Sequence, residues 1–217
     1  MSDSDITLVP VDSDNYEYVR YLHVVNFNES YDDDTYEVLA CGVLLKGFLA
    51  YCGDCVAGEV CIQWDYRCGL LCAYIVSISV LEEYRRRGIG SMLMEKVIDE
   101  CKAANAIFLH TRVSNYSAQH LYGKYGFQKK SYSYMYYGNE SAVIMRRLND
   151  NPEESDFPKL FEELGYEIYQ FIPFPFSRDD KMIMNDIVED DYQFIDIRLL
   201  DIDCIINTIS HSPLLLY

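Results

Sequence analysis

The spacing of apolar residues predicts that the chain opens with a strand followed by two helices. Residues 5–10 (DITLVP) form a short apolar run typical of a strand, and apolar and aromatic residues recur at helical spacing over 15–25. A second helix is predicted over 32–45, because the acidic run at 32–34 suits a helix N-terminus. We interpret these carboxylates as helix caps rather than as ligands.

From residue 47 to 81 the pattern changes to three β-rich segments, with turn signals at 53–54 and 67–69. These segments predict a three-stranded antiparallel meander. Helical spacing returns after Gly88 and continues to Cys101. The remaining elements are predicted to be a buried strand (AIFLHTRV), a helix over 117–125, and strands near 131–137 and 142–148. This order predicts an α/β (α+β) fold with a mixed, mostly antiparallel central sheet flanked by helices.

After Leu148 the composition shifts to the acidic, proline-containing segment NDNPEES, which is typical of a linker. We therefore predict a folded domain over 1–149, followed by an acidic linker and C-terminal extension of unknown role over 150–217. No internal repeat is visible.

Charge narrows the range of partners. The formal net charge is −17, which argues against nucleic acid, because binding to phosphates needs clustered Lys and Arg. A negative field favours cationic partners such as amines or basic peptides, although solubility alone would also explain it.

The eight cysteines are interpreted as reduced thiols in an intracellular protein, because the opening MSDSD shows no signal-peptide pattern. Cys52 and Cys55 have CxxC spacing, but the Gly-Asp between them favours a hairpin turn over a zinc site. We expect no metal. No run of about 18 uncharged apolar residues, the length that predicts a transmembrane helix, is present in the sequence.

The most specific motif is RRRGIG at 85–90, which stands between an apolar strand (YIVSISVL) and a predicted helix (GSMLMEKVIDEC). Glycines allow close backbone approach to an anion, and the amides at a helix N-terminus offer free N–H donors. The motif therefore favours pyrophosphate binding. It is followed by His110 at the end of the strand IFLH and by SNYSAQHLYGKYGF.

Together these segments resemble the GNAT superfamily, and more closely the NatE-like and NatF-like catalytic subunits that acetylate N-terminal amines. AYIVSISVLEEYRRRGIGSMLMEKV resembles their acetyl-CoA segment, and IFLHTRVSNYSAQHLYGKYGF resembles their histidine strand and cofactor helix. The resemblance extends from about residue 5 to 148 and implies the GNAT acetyltransferase fold, with acetyl-CoA as cosubstrate.

The resemblance implies that backbone groups of Ile78 and Val80 pair with the pantetheine arm and that the arginine-glycine turn holds the pyrophosphate. Asn115 and Tyr122 would contact the thioester end, with a helix cap and a packed aromatic as the alternative interpretations of these two residues. The full set of implied cofactor-binding residues is Ile78, Val80, Arg85, Arg86, Arg87, Gly88, Ile89, Gly90, Ser91, Asn115 and Tyr122.

Acetyl transfer requires a base, because a protonated amine cannot attack a thioester and an N-terminal amine has a pKa near 7.7–8.0. The resemblance places His110 in this role, and histidine suits it because its pKa is close to neutral pH. Tyr74 would position the amine or a water molecule. Tyr122 would protonate the departing thiolate.

The resemblance also implies a peptide groove between the loop after the first helix and the hairpin before the last strand. Its substrate-binding residues would be Phe27, Tyr31, Val76, Tyr136 and Tyr137. The Phe-Pro of the family is Phe27-Asn28 here, and Glu29 follows. This departure leaves the preference for the first substrate residue open.

The sequence thus predicts a cytoplasmic protein N-terminal α-amine acetyltransferase. Lysine acetylation and a catalytically silent acetyl-CoA-binding scaffold remain alternatives, and a small-amine acetyltransferase is a weaker one. Protein or peptide N-termini are the expected partners, with an auxiliary subunit left open. NatF-like enzymes carry a membrane-associating C-terminal extension, so peripheral attachment to organelle membranes is a further alternative, as is packing of this tail against the domain.

Overall fold

The structure is a computed structural model that describes residues 6–28, 30–67 and 70–156. Glu29, the Cys68-Gly69 part of the predicted turn, and the extension from residue 157 onward lie outside the described residues. The domain boundary near 149 and the role of the extension therefore stay predictions. Within the described part, no helix has the length and apolar character needed to cross a membrane.

The described chain folds as one mixed sheet with flanking helices, so the predicted fold class is confirmed. The seven strands are β1 (Ile6–Pro10), β2 (Leu45–Cys52), β3 (Cys55–Arg67), β4 (Leu70–Val80), β5 (Ala106–Arg112), β6 (Gln128–Ser133) and β7 (Ala142–Leu148). The helices are α1 (Tyr16–Phe27), α2 (Asp33–Cys41), α3 (Ile89–Glu100) and α4 (Tyr116–Lys124), with a short 3-10 helix at Glu82–Tyr84.

The strands lie in the order β1-β2-β3-β4-β5-β7-β6. Every neighbouring pair is antiparallel except β4 and β5, which run parallel. That parallel pairing is short, since it extends only from Cys72 opposite Ala106 to Ile75 opposite Leu109. Both strands continue beyond these pairs, so a gap opens in the middle of the sheet between the second half of β4 and the end of β5.

Apolar side chains hold the helices against the sheet. Leu93, Met94 and Val97 of α3 are fully buried, and so are Val19 and Leu22 of α1. Full burial of such a side chain contributes about 1.5–3 kcal/mol. The packing fixes α3 and α1 against β3 and β4.

Two element boundaries differ from the sequence prediction. Helix α2 was predicted to reach residue 45 but ends at Cys41, because Gly42 takes a left-handed conformation (φ 67°). The strand predicted near 131–137 is wrong at its end: β6 stops at Ser133, and the chain turns through Met135 at φ 52°. The predicted cap is confirmed, since the Asp32 carboxylate accepts a hydrogen bond from the Thr35 amide at 2.9 Å.

Candidate active site

Tyr74 and His110 face each other at the point where β4 and β5 separate. Tyr74 lies in the last part of the parallel pairing, and His110 is the first β5 residue beyond it. The Tyr74 hydroxyl lies 3.0 Å from His110 Nδ1, which is hydrogen-bond distance. The ring of Tyr136 stacks on the imidazole with centroids 4.4 Å apart. The sequence predicted both members of the pair but not their direct contact.

Burial controls the ionisation of this pair. Burial lowers the pKa of His110 to about 3, so the imidazole is neutral at physiological pH. Burial also raises the pKa of Tyr74 well above its usual value, and the nearby phenol of Tyr136 adds to the rise. The site therefore holds a neutral imidazole and a neutral phenol within hydrogen-bond reach of each other.

The gap beyond the pair is lined on one side by the second half of β4. A register shift opposite Cys61 and Ile62 of β3 leaves Val76 as an extra residue in β4, because Ser77 pairs with Cys61 and Ile75 with Ile62. Such a bulge bends a strand and redirects its side chains. Ile78 and Val80 follow it and are half-buried against the core.

The RRRGIG turn lies at the far end of β4, where α3 begins. Gly88 is the N-cap of α3 at φ 85°, a conformation that favours glycine, and no side chain of the described residues caps this helix. Arg86 is also left-handed at φ 66°, which is uncommon for a non-glycine residue. The turn is exposed, so its amides and the helix dipole can face an anion from solvent.

The three arginines of the turn have different surroundings. Arg85 Nε donates a 3.0 Å hydrogen bond to the Val80 carbonyl, which ties the turn to the end of β4. The Arg87 guanidinium lies 5.3 Å from the centre of the Tyr84 ring. Arg86 is exposed. Arg85 therefore shapes the turn, whereas the other two carry positive charge at its surface.

Helix α4 places the other two predicted cofactor residues. Asn115 is its N-cap, and the Asn115 side chain accepts a hydrogen bond from the Ala118 amide at 3.1 Å, so the cap interpretation holds for this residue. Tyr122 is buried and packs on Phe127 with ring centroids 6.1 Å apart. Burial raises the pKa of Tyr122, and the nearby Glu59 carboxyl adds to the rise, so its phenol keeps its proton.

The predicted peptide-groove residues lie on the two sides of the catalytic pair. Phe27 and Tyr31, on the α1–α2 side, are 43% and 37% exposed. Tyr136 and Tyr137 belong to the turn between β6 and β7, and their rings meet edge to face at 4.9 Å. Burial raises the pKa of Tyr31, and the charges of Cys61 and Tyr136 add to the rise. Besides burial, Tyr136 and Tyr31, one from each side, both contribute to the raised pKa of Tyr74.

A buried polar cluster beneath the groove was not predicted from the sequence. His23 of α1 and Glu59 of β3 are 3% and 0% exposed, and Ser77 of β4 lies between them. Burial lowers the pKa of His23 to about 4 and raises the pKa of Glu59 to about 7. One signal was available: Glu59 is the single charged residue in the apolar run CVAGEVCI.

The comparisons with known proteins agree with this geometry. Residues 16–127 match the model of the acetyltransferase (GNAT) family. The probable N-acetyltransferase san of Drosophila melanogaster is 35% identical over 141 residues, which cover 63% of this chain and 76% of that protein. N-alpha-acetyltransferase 50 of Danio rerio is 36% identical over 135 residues, covering 58% and 79% respectively.

Solved structures give the same result. Arabidopsis thaliana Naa50, in complex with a bisubstrate analogue, matches 65% of this chain and 97% of its own length with a TM-score of 0.59 and 29% identity. Arabidopsis thaliana NAA60, also with a bisubstrate analogue, matches 66% and 98% with a TM-score of 0.60; at 18% identity it supports the fold alone. With its fold, its RRRGIG turn and these matches, the chain belongs to the GNAT acetyltransferase family.

Proposed function

We propose that this acetyltransferase moves the acetyl group of acetyl-CoA to the α-amine of a peptide or protein N-terminus. The observation that carries the proposal is the Tyr74–His110 pair, which lies at the opening of the β4–β5 gap and between the aromatic residues of a groove. The similarity to N-alpha-acetyltransferase 50 of Danio rerio supports an α-amine as the acceptor.

The exposed turn at the start of α3 suits the pyrophosphate of acetyl-CoA. Its left-handed Gly88 and uncapped helix N-terminus offer amide donors, and Arg86 and Arg87 add positive charge. The β4 backbone from Val76 to Val80 has no β5 partner among the described residues, so it is available to the amides of the pantetheine arm. These features support the cofactor-binding role assigned to Ile78, Val80 and residues 85–91.

We assign the general base to His110, acting through Tyr74. The Tyr74 hydroxyl can donate its proton to His110 Nδ1 and accept one from the attacking amine, directly or through water. A histidine whose pKa is about 3 is a weak base. The amine must therefore arrive neutral, and its proton leaves after the nitrogen has bonded to the acetyl carbon, which makes that proton more acidic.

The reaction then breaks the carbon–sulfur bond. In this proposal the acetyl oxygen is stabilised by backbone N–H groups at the β4 bulge near Val76. Burial keeps the Tyr122 phenol protonated at neutral pH, and in this proposal the phenol donates its proton to the sulfur as the carbon–sulfur bond breaks. The products are an N-acetyl peptide and CoA; the proton taken by His110 returns to solvent, and Tyr122 regains a proton from solvent.

The groove residues fit a peptide backbone. The exposed ring of Phe27 and the half-buried Val76 offer an apolar surface to the first side chain, and the phenols of Tyr31, Tyr136 and Tyr137 offer hydrogen bonds to the following peptide groups. Glu29 lies outside the described residues, so we assign it no part in this proposal.

Thiol release from acetyl-CoA with a panel of acceptors tests the proposal. The panel contains peptides with a free α-amine, the same peptides with a blocked N-terminus and an internal lysine, and spermidine, with His110→Ala as the inactive control. Turnover on free α-amines alone supports the proposal. Turnover on the blocked lysine peptides would reassign the protein to side-chain acetylation, and acetyl-CoA binding without turnover on any amine would indicate a silent scaffold.

A further inference from the structure

A continuous chain of hydrogen bonds runs from the buried carboxyl of Glu59 to the loop that borders the groove. Ser77 Oγ donates to Glu59 Oε2 at 2.9 Å, and His23 Nε2 lies 3.0 Å from Ser77 Oγ. His23 Nδ1 lies 3.0 Å from the hydroxyl of Tyr36, and that hydroxyl accepts from the backbone N–H of Tyr31 at 3.5 Å. The chain crosses β3, β4, α1 and α2 to reach the groove.

When Glu59 is ionised, the protons of this chain have one consistent order. The Ser77 hydroxyl gives its only proton to the carboxylate, so it can only accept from His23 Nε2, which must carry a proton. A neutral imidazole then has a bare Nδ1, which accepts from the Tyr36 hydroxyl. Each donor therefore points toward Glu59. Ligand atoms of His23, Glu59 and Cys61 lie within 4.8 Å of one another, and the hydrogen bonds through Ser77 account for the close approach of His23 and Glu59.

The loop end of the chain contacts a residue of the proposed groove. Tyr31 packs edge to face on His23 with centroids 5.4 Å apart and also lies 6.3 Å from the Tyr36 ring. Its backbone N–H and its ring are thus both held by members of the chain. Because a fully satisfied buried hydrogen-bond network rigidifies the groups that it joins, a change at Glu59 is expected to reach Tyr31.

We propose that Glu59 is a positioning residue for the acceptor peptide, which acts through Ser77, His23 and Tyr36 to hold Tyr31 at the groove. The inference rests on the proposed function, because it assumes that the groove binds a peptide. Glu59 itself is fully buried and does not touch the substrate. When Glu59 is a carboxylate it can only accept, so every hydrogen bond of the chain is donated toward it. A protonated Glu59 carboxyl can donate to Ser77, and the direction of donation along the chain can then reverse.

The ionisable groups that face the chain come from every element packed around it. They are His23 of α1, Tyr31 of the loop, Tyr36 of α2, Cys61 of β3 and Tyr122 of α4, with Arg20 over the Tyr36 ring at 4.3 Å. Burial raises the pKa of Cys61, and the pKa of each tyrosine named is also raised, mainly by burial. Burial lowers the pKa of His23 to about 4. Glu59 is therefore the member of this set whose charge changes near pH 7.

A double-mutant cycle tests the proposal. Tyr36→Phe removes only the hydroxyl that joins His23 to the loop, and Glu59→Gln removes the charge while keeping the shape. Each single variant is expected to raise the peptide KM about fivefold, the scale of one hydrogen bond, with kcat and the acetyl-CoA KM within about twofold of wild type. The double variant is expected to resemble Tyr36→Phe alone, since Glu59 acts through Tyr36. Additive effects, or no effect of Glu59→Gln, would overturn the proposal.

The matched control is Tyr16→Phe, because Tyr16 stacks on the Tyr36 ring at 6.5 Å and its hydroxyl is not part of the chain. Its peptide KM should stay unchanged.

Nitrogen chemical shifts of the His23 ring give a readout that does not need turnover. Wild type should show a protonated Nε2 and a bare Nδ1 above pH 7, and Glu59→Gln should lose this preference. If wild type shows this His23 tautomer but acetylates no α-amine, the proposed function is contradicted. If Glu59→Gln shows the same His23 tautomer as wild type, this inference is contradicted.

Discussion

The hydroxyl of Tyr74 and the Nδ1 atom of His110 lie 3.0 Å apart, although 36 residues separate them along the chain. They come from neighbouring parallel strands at the last point where these strands pair. Because the two groups share one hydrogen bond, the proton affinity of each group depends on the protonation state of the other. The pair should be treated as a single proton-accepting unit.

Tyr74→Phe tests that unit directly. The change removes one oxygen and keeps the ring, so packing and acetyl-CoA binding should persist while kcat falls about 100-fold. Steady-state thiol release with a free-amine peptide measures the effect. Tyr132→Phe, at an exposed position of β6 (60% exposed), is the matched control and should retain full activity. A loss that appeared in the acetyl-CoA KM instead would show that Tyr74 acts in cofactor binding.

The pH profile should report the amine rather than His110. Since burial lowers the pKa of His110 to about 3, the imidazole stays neutral as the pH falls from 8 to about 5, and its protonation removes no activity in that range. The acidic limb of kcat/KM should therefore follow the substrate amine, near pH 7.7–8.0. Peptides whose first residues give different amine pKa values should shift the limb by the same amounts. A limb fixed near pH 6.5 for all peptides would contradict this prediction.

Gly88→Ala should weaken acetyl-CoA binding about fivefold. A Cβ at this position would meet no atom within 4 Å, so the cost comes from the backbone, which lies at φ 85°. A left-handed conformation costs a non-glycine residue about 1 kcal/mol or more, so we expect the turn of the variant to relax in the free protein and to pay this cost when it binds CoA. Titration calorimetry with CoA measures the change. Gly123→Ala in α4 also has open space and no positive φ, and should leave the affinity unchanged.

Substitutions at Asn115 separate its cap role from a cofactor role. Asn115→Ala should cost about 1 kcal/mol of stability, because the Ala118 amide loses its acceptor. Asn115→Asp restores the acceptor and should restore the melting temperature. If the residue is only a cap, Asp also restores the acetyl-CoA KM. If the KM stays raised in a stable Asp variant, the side chain contacts the cosubstrate as the resemblance implies.

Glu59→Gln should stabilise the protein at alkaline pH. Burial raises the pKa of Glu59 from 4.5 to about 7, so the folded state binds its proton more tightly than the unfolded state does. The stability that this proton provides is complete below pH 4.5 and is lost as the pH rises through about 7. At pH 8 the variant should therefore be more stable than wild type, by up to about 3 kcal/mol. Urea unfolding at pH 5 and pH 8 measures this, and an equal difference at both values would contradict it.

The sequence was sufficient for the parts of the site that lie on local motifs. The RRRGIG turn, the strand that ends in His110 and the cap at Asn115 each depend on residues close together in the chain, so their pattern predicts their structure. Long-range relations were not visible. Glu59 meets Ser77 18 positions later, and Ser77 meets His23 across 54 positions. Only the sheet register brings these three residues together.

Ambiguous local patterns explain the errors in element boundaries. Leu44 and Leu45 are buried, but they continue from α2 into β2, and apolar spacing over so few residues does not distinguish a helix end from a strand start. The alternation in SYSYMYY resembles a strand. The left-handed Met135 ends it early, and this conformation is rare for methionine and has no signature in the sequence.

The short parallel pairing of β4 with β5 has a consequence for the order in which ligands arrive. Four residue pairs join these strands, whereas ten join β3 to β4. The sheet therefore consists of two halves, β1 to β4 and β5 to β7, and we call the short pairing between them the seam. Tyr31 belongs to one half and Tyr136 to the other, and the width of the groove depends on how the halves are held. A ligand wedged into the seam joins both halves. We therefore expect acetyl-CoA to bind first and to hold the two halves of the sheet together. Its binding should slow amide hydrogen exchange in β4 and β5 and leave a groove of fixed width for the peptide, which binds second.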